Sequence, residues 1–224
     1  MLETFTEENQ DANSPLTGQI DTSKLGLLGH SLGGAVGLSA IANQCLPLLC
    51  SGSFQRPPEL MAGIFFGANL RNPKTDEPIP IENNGIDVAL LQGEQDGRAQ
   101  LTHAEATFEN IATPSKALIV LTGVNHFGIT NVNSPSGAIP DPNEQTLAQP
   151  ESIATLARWS GVYLRGTLLD DEEALAFIFE TGEDLDPNVS RVEAVQKDES
   201  ACVRDTVNLG LILGGFAVQH EPSL

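Results

Sequence analysis

The chain has 224 residues, 40% of them hydrophobic, and 30 acidic against 11 basic residues give it a formal net charge of −19. A chain of this length and hydrophobic content can bury a core of its own as one globular domain. So large a negative charge repels phosphate backbones and anionic lipid head groups, so nucleic acids are excluded as expected partners. The sequence has no run of about 18 apolar residues, so no membrane span is expected.

The amino-terminal residues 1–20 are polar and acidic, and they are predicted to form a polar leader. They lack the basic start and apolar core of a secretory signal, so no export signal is recognised and the compartment is left open.

Cys45, Cys50 and Cys202 are odd in number and match no metal or redox spacing. They therefore predict neither a disulfide framework nor a zinc site, and pairing of Cys45 with Cys50 is left undecided.

Four short apolar segments, each ending in glycine, are predicted to be strands, and they span residues 25–29, 60–67, 86–93 and 116–123. The first, "LGLLG", has the continuous apolar character of a strand buried on both faces. Helical patterns follow the first and third strands, over residues 32–43 and 98–111. Strands that alternate with helices indicate parallel βαβ units, so the fold class is α/β with a mostly parallel sheet flanked by helices.

Two loops, residues 69–85 and 134–145, are rich in proline, asparagine and glycine. Both leave the ends of predicted strands, where the active-site rims of α/β folds are built.

Two more helices are predicted, over residues 150–166 and 170–182. The second has an acidic first turn and Gly182 as its stop. The pattern weakens after residue 182, so residues 183–224 are interpreted as an acidic tail without assigned structure.

The segment "GHSLGG", residues 29–34, places Ser31 between a strand and a helix rich in small residues. A strand, a sharp turn with serine at its apex and a helix form a nucleophile elbow, in which neighbouring glycines relieve crowding. This arrangement also places Ser31 at a helix N-terminus, where backbone N–H groups stabilise developing negative charge.

A serine nucleophile needs a base, and the base needs an orienting carboxylate. Asp96 follows the strand of residues 86–93, at the same end of the sheet as Ser31. Glu94 is the local competitor, and the loop position favours Asp96.

His126 follows the strand of residues 116–123 and is the predicted base. The other three histidines fit less well. His30 neighbours Ser31 and is expected to point away from it, His103 falls inside a helix, and His220 lies in the tail.

The order Ser31, Asp96, His126 is that of the α/β-hydrolase superfamily, and the chain resembles this superfamily from residue 21 to residue 182. The residues that carry the resemblance are "DTSKLGLLGHSLGG", "LLQGEQD" and "TGVNHFG". Within the superfamily, the chain is most similar to the group of dienelactone hydrolases, chlorophyllases, platelet-activating-factor-acetylhydrolase-like enzymes and polyester hydrolases.

The resemblance implies a serine esterase that cleaves a small-molecule or lipid-like ester and needs no metal or cofactor. Ser31 would attack the carbonyl carbon, His126 would move the proton, and Asp96 would hold the imidazole. The backbone N–H of Leu32 would be one oxyanion donor. Phe127, beside His126, would either line an acyl pocket or pack in the core.

The chain departs from the family because only 24 residues precede Leu25, where relatives have several strands and a loop with the second oxyanion donor. It is therefore expected to be the carboxyl-terminal part of a longer, amino-terminally truncated hydrolase. A partner chain that supplies the strands, and a catalytically silent α/β-hydrolase-like binding module, are the alternatives. Without its neighbours the first strand becomes an open edge, and loss of one oxyanion donor costs about 10² to 10³ in turnover.

Overall fold

The computed structural model describes residues 2–45, 50 and 54–197. Five strands form one sheet in the order β1-β2-β3-β4-β5, and their bounds are β1 Leu25–His30, β2 Leu60–Phe66, β3 Asp87–Gly93, β4 Lys116–Leu121 and β5 Val189–Val195. The first four strands are parallel, and β5 runs antiparallel to β4. The helices are α1 Leu2–Gln10, α2 Leu32–Ile41, α3 Leu101–Glu109, α4 Gln149–Leu169, α5 Glu172–Ala176 and α6 Gly182–Leu185. The chain thus has a mixed α/β fold with a mostly parallel sheet, as the alternating pattern predicts.

Helices cover both faces of the sheet, and successive residues of the central strands supply both cores. Leu90 of β3 packs in the core beneath α2 and α3, whereas its neighbour Leu91 packs on the other face with Trp159 and Tyr163 of α4. Because each face is covered, a central strand needs apolar residues at consecutive positions rather than at alternate ones. This explains the continuous apolar runs of β2, β3 and β4.

The prediction that the first strand is buried on both faces is wrong. No residue of β1 is buried, and the Leu28 side chain is 58% exposed. The reason is position: among the described residues β1 pairs with β2 alone, so it forms one edge of the sheet. The expectation of an open edge therefore agrees with the structure.

The segment predicted as one helix over residues 170–182 is divided. Asp171 caps α5 by accepting the N–H of Ala174 at 2.9 Å, so an acidic helix start is present. A π-helical turn, Phe177–Thr181, then separates α5 from α6, and Gly182 begins α6 instead of ending a helix. A side chain at Gly182 would lie 2.6 Å from the Trp159 ring, so close packing explains this glycine.

Parts of the two terminal segments have regular structure. The predicted leader contains α1, which buries none of its residues. The predicted tail contains β5, whose pairing with β4 could not be recognised from its mixed, partly charged sequence. His220 and Cys202 lie outside the described residues.

Cys45 and Cys50, whose pairing the sequence left open, form a disulfide with Cα atoms 5.3 Å apart. In the part of the chain that the structure describes, no helix has the length and apolar character needed to cross a membrane.

Candidate active site

Ser31 stands at the sharp turn between β1 and α2. Its φ of 55° and ψ of −122° are a backbone conformation that residues with a side chain rarely adopt. The turn is held by the Ser31 N–H, which donates to the Phe66 carbonyl of β2 at 3.0 Å. It also depends on Gly29, because a Cβ there would lie 2.8 Å from the main chain of Gly33 and Gly34. The elbow predicted from "GHSLGG" is therefore present as local geometry.

The structure brings the three predicted site side chains together. His126 Nε2 lies 2.9 Å from Ser31 Oγ, and His126 Nδ1 lies 2.8 Å from Asp96 Oδ2. Since a carboxylate oxygen accepts, Nδ1–H donates to Asp96 and leaves Nε2 to accept the Ser31 O–H. The Asp96 side chain is fully buried and that of His126 is 6% exposed, so this hydrogen bond is shielded from water.

Asp96, rather than its competitor Glu94, faces the imidazole. Asp96 Oδ1 accepts the backbone N–H groups of Arg98 at 2.9 Å and Ala99 at 2.6 Å, which fixes the carboxylate. Glu94 is exposed, and its carboxylate accepts the Gly123 N–H at 3.3 Å instead. The preference for Asp96 rested on loop position, and the geometry agrees with it.

The His30 ring contacts the His126 imidazole, a contact that the sequence does not predict. His30 Nε2–H donates to the His126 carbonyl at 2.8 Å, and the two rings lie 4.7 Å apart between centroids. The ring also stacks on Phe66 at 5.5 Å. Burial lowers the pKa of His30, and the nearby His126 lowers it further. His30 thus joins β1 to the loop that carries His126.

Gly67 is a second residue that the sequence does not single out. It follows β2 with φ +54°, and a Cβ there would lie 2.8 Å from Asp96 Oδ2 and 3.0 Å from His126 Nδ1. A side chain at this position would collide with both Asp96 and His126. The glycine after the apolar run was visible in the sequence, but its proximity to the pair depends on the sheet order.

A cleft of about 260 Å³ opens beside Ser31, and its walls include Leu32, Asn69, Arg98 and His126. Leu32 is the first residue of α2, and no group among the described residues accepts its N–H. Phe127 is not one of the lining residues: it is 6% exposed and packs edge-on against the His126 ring at 5.4 Å. Of the two roles left open for Phe127, the structure shows the packing contact.

His103 lies within α3 as expected, away from the cleft, with its Nε2 3.8 Å from Asp76 Oδ2. In the described part of the chain, no three His, Cys, Asp or Glu side chains are grouped so that they could hold a metal ion.

The fold and the site define a class of arrangement: a serine, a histidine and an aspartate at the carboxyl ends of β1, β4 and β3 in a mostly parallel α/β sheet. Neither a protein-family model nor a curated protein matches the sequence at a significant level. The geometry of Ser31, His126 and Asp96 is therefore the basis on which a function can be proposed.

Proposed function

We propose that the chain is a serine hydrolase of the α/β-hydrolase type that cleaves carboxylic esters through an acyl-enzyme. The observation that carries the proposal is the pair of hydrogen bonds, at 2.9 Å and 2.8 Å, that links Ser31, His126 and Asp96 in series. Recognition of such a site rests on geometry and roles, since the same constellation recurs on unrelated folds. The strained backbone of Ser31 supports the proposal, because strain of this kind is concentrated at functional sites.

In the proposed reaction Ser31 Oγ attacks the ester carbonyl carbon while His126 Nε2 takes the hydroxyl proton. The imidazolium then gives this proton to the leaving alkoxide, and the alcohol departs as the acyl-enzyme forms. A water molecule next attacks the acyl carbon, with His126 as base, and the carboxylic acid and free Ser31 are regenerated. Asp96 stays ionised and holds the imidazole in the tautomer that keeps Nε2 free to accept.

The negative charge that develops on the carbonyl oxygen would be stabilised at the start of α2. The Leu32 N–H is the donor for this role, because it points from the first turn of a ten-residue helix and has no acceptor among the described residues. The helix dipole adds a partial positive charge at the same place. Each such donor contributes about 10² to 10³ in turnover.

The cleft favours small esters. Its volume of about 260 Å³ lies below the range of roughly 300 to 1,000 Å³ typical of sites for drug-sized ligands. Arg98 is the basic residue among its walls. Esters with a short acyl chain are therefore the first substrates to test.

The proposal is tested by incubating the chain with a fluorophosphonate and measuring its intact mass, in parallel with hydrolysis of 4-nitrophenyl acetate. We expect one adduct on the wild type and none on Ser31→Ala. The matched control is Ser39→Ala, because Ser39 belongs to the same helix but is buried and donates to the Val36 carbonyl at 2.8 Å. Ser39→Ala should be labelled and turn over ester as the wild type does.

A folded wild type that takes no adduct and hydrolyses no ester would contradict the proposal and favour the silent binding module. Equal hydrolysis by wild type and Ser31→Ala would exclude Ser31 as nucleophile.

A further inference from the structure

One carboxylate outside the triad joins the two loops that carry the acid and the base. Asp141, in the loop between β4 and α4, accepts the main-chain N–H of His126 through Oδ2 at 2.9 Å. The same carboxylate accepts the N–H of Gly97 at 3.2 and 3.3 Å, through its two oxygens. Gly97 is the residue after Asp96. Asp141 therefore connects the base directly to the neighbour of the acid.

Along the two loops, the contacts of Asp141 come farther from the ends of β3 and β4 than the direct main-chain bonds between the loops do. The Gln95 N–H donates to the Val124 carbonyl at 2.9 Å, and among the described residues no main-chain bond joins the two loops beyond it. Farther along the two loops, the N–H groups of Gly97 and His126 donate to Asp141 instead. Along the chain, Asp96 thus stands between Gln95, which makes the main-chain bond, and Gly97, which donates to Asp141. From this position Asp96 makes its 2.8 Å contact with His126.

The neighbouring sequence is shaped to seat Asp141. A Cβ on Gly97 would lie 2.5 Å from Pro142 Cγ and 2.8 Å from Asp141 Oδ1, so a larger residue would lift the loop away. The Asn143 N–H donates to Asp141 Oδ1 at 2.8 Å and orients the carboxylate. Asn125 Nδ2, in the loop that carries the base, donates to the Asn143 carbonyl at 3.1 Å. Hydrogen bonds of ionised carboxylates are roughly twice as strong as neutral ones.

We propose that Asp141 is a positioning residue of the triad, which fixes the distance between Asp96 and His126 by binding the main chain of both loops. It is not one of the residues that line the cleft, so its expected effect is on the geometry of the triad and not on substrate binding. The inference rests on the proposed function. The expected loss of rate follows from the precise orientation that catalysis requires, since a displacement of about 1 Å costs on the order of 100-fold in rate.

The test compares Asp141→Asn and Asp141→Ala in the full chain. Asparagine keeps the shape and one oxygen acceptor. Its amide nitrogen cannot accept an N–H, so the main-chain donors on that side of the group lose their partner. For 4-nitrophenyl acetate we expect kcat to fall about tenfold in Asp141→Asn and about 100-fold in Asp141→Ala, with KM within about twofold of wild type. The fluorophosphonate labelling rate should fall in the same order.

The matched control is Asp171→Ala, which removes the same charge and a main-chain hydrogen bond, to Ala174 at 2.9 Å, at the start of α5. It should keep the wild-type kcat. Gly97→Ala is a second route to the same defect, because it keeps the Asp141 side chain but displaces the loop that carries it. It should lose kcat as Asp141→Ala does.

A readout independent of turnover is the NMR resonance of the His126 Nδ1 proton, assigned by its loss in Asp96→Ala. We expect it in the wild type and expect it to broaden or vanish in Asp141→Ala. Retention of this resonance together with kcat within twofold of wild type, in a folded Asp141→Ala or Asp141→Asn, would overturn the positioning role. A wild type that is inert to ester and probe but loses the resonance on mutation would instead remove the proposed function and leave the structural role standing.

Discussion

The strand that leads to Ser31, the proposed nucleophile, and the strands that lead to Asp96 and His126 differ sharply in burial. No residue of β1 is buried, whereas every residue of β3 after Asp87 and every residue of β4 after Lys116 is buried. The loops that carry Asp96 and His126 thus extend from two interior strands of the sheet. Ser31 extends from an edge.

This difference indicates that the two halves of the site are held by different forces. Asp96 and His126 follow β3 and β4, which belong to a core packed on both faces. Displacement of either strand would lose buried contacts. Ser31 depends on local close contacts, which are the bond from its N–H to Phe66 and the approach of Gly29 to the first turn of α2. Mutations of the β1 elbow should therefore change activity, and mutations of the buried residues of β3 and β4 should change stability.

Apart from replacement of Ser31 itself, one of the largest losses of activity is expected at Gly29, the first glycine of the elbow. Gly29→Ala places a Cβ 2.8 Å from the backbone of Gly33 and Gly34, and because backbone cannot yield, Ser31 must move. We expect the labelling rate at Ser31 to fall by about 100-fold. Gly33→Ala is the control, since a Cβ there meets nothing within 4 Å. It should be labelled normally, and labelling of both variants at the wild-type rate would contradict the local account.

A pair of leucines tests the central half of the comparison by chemical denaturation. Leu91 of β3 is 1% exposed, so Leu91→Ala should lower the free energy of unfolding by about 2 to 5 kcal/mol. Leu28 of β1 is 58% exposed, so Leu28→Ala should change it by less than about 0.5 kcal/mol. A loss at Leu28 as large as that at Leu91 would mean that the edge is covered in solution.

His30 lies where the two halves meet, and it makes stability depend on pH. Burial and the nearby His126 lower the pKa of His30, so the unfolded chain binds a proton at a pH where the folded chain still resists it. The free energy of unfolding should therefore fall as the pH drops below about 6.5, the ordinary histidine value. His30→Gln should show a smaller fall than wild type between pH 7.5 and 5.5. His103→Gln, in α3, is the control, and identical curves for all three chains would remove this contribution.

The smallest expected effect concerns the charge of the substrate. Arg98 lines the cleft and has no carboxylate within salt-bridge distance among the described residues. Arg98→Gln should lower kcat/KM for an ester with a carboxylate on its acyl chain by about tenfold, the effect of a single charged contact. A neutral ester of the same length should be hardly affected. Lys74→Gln removes an equal charge on an exposed loop and should change neither rate.

Sequence patterns locate the main parts of this site because they depend on local chemistry. The glycines around Ser31 indicate an elbow, and Asp96 and His126 each follow an apolar strand. The pattern does not identify Gly67, Asp141 or His30, because each acts through a neighbour distant in sequence. Asp141 is 44 residues from its partner Gly97, and no periodicity connects the two.

The sequence by itself determines a mixed α/β fold with parallel strands and the positions of Ser31, Asp96 and His126 after predicted strands. Apolar runs, glycine stops and helical spacing are properties of adjacent residues, so they can be interpreted without coordinates. Only the tertiary structure decides that β1 is an edge, that residues 189–195 pair with β4, and that Asp141 bridges the two loops. These features depend on which distant segments meet, and in a parallel sheet the order of the strands decides that.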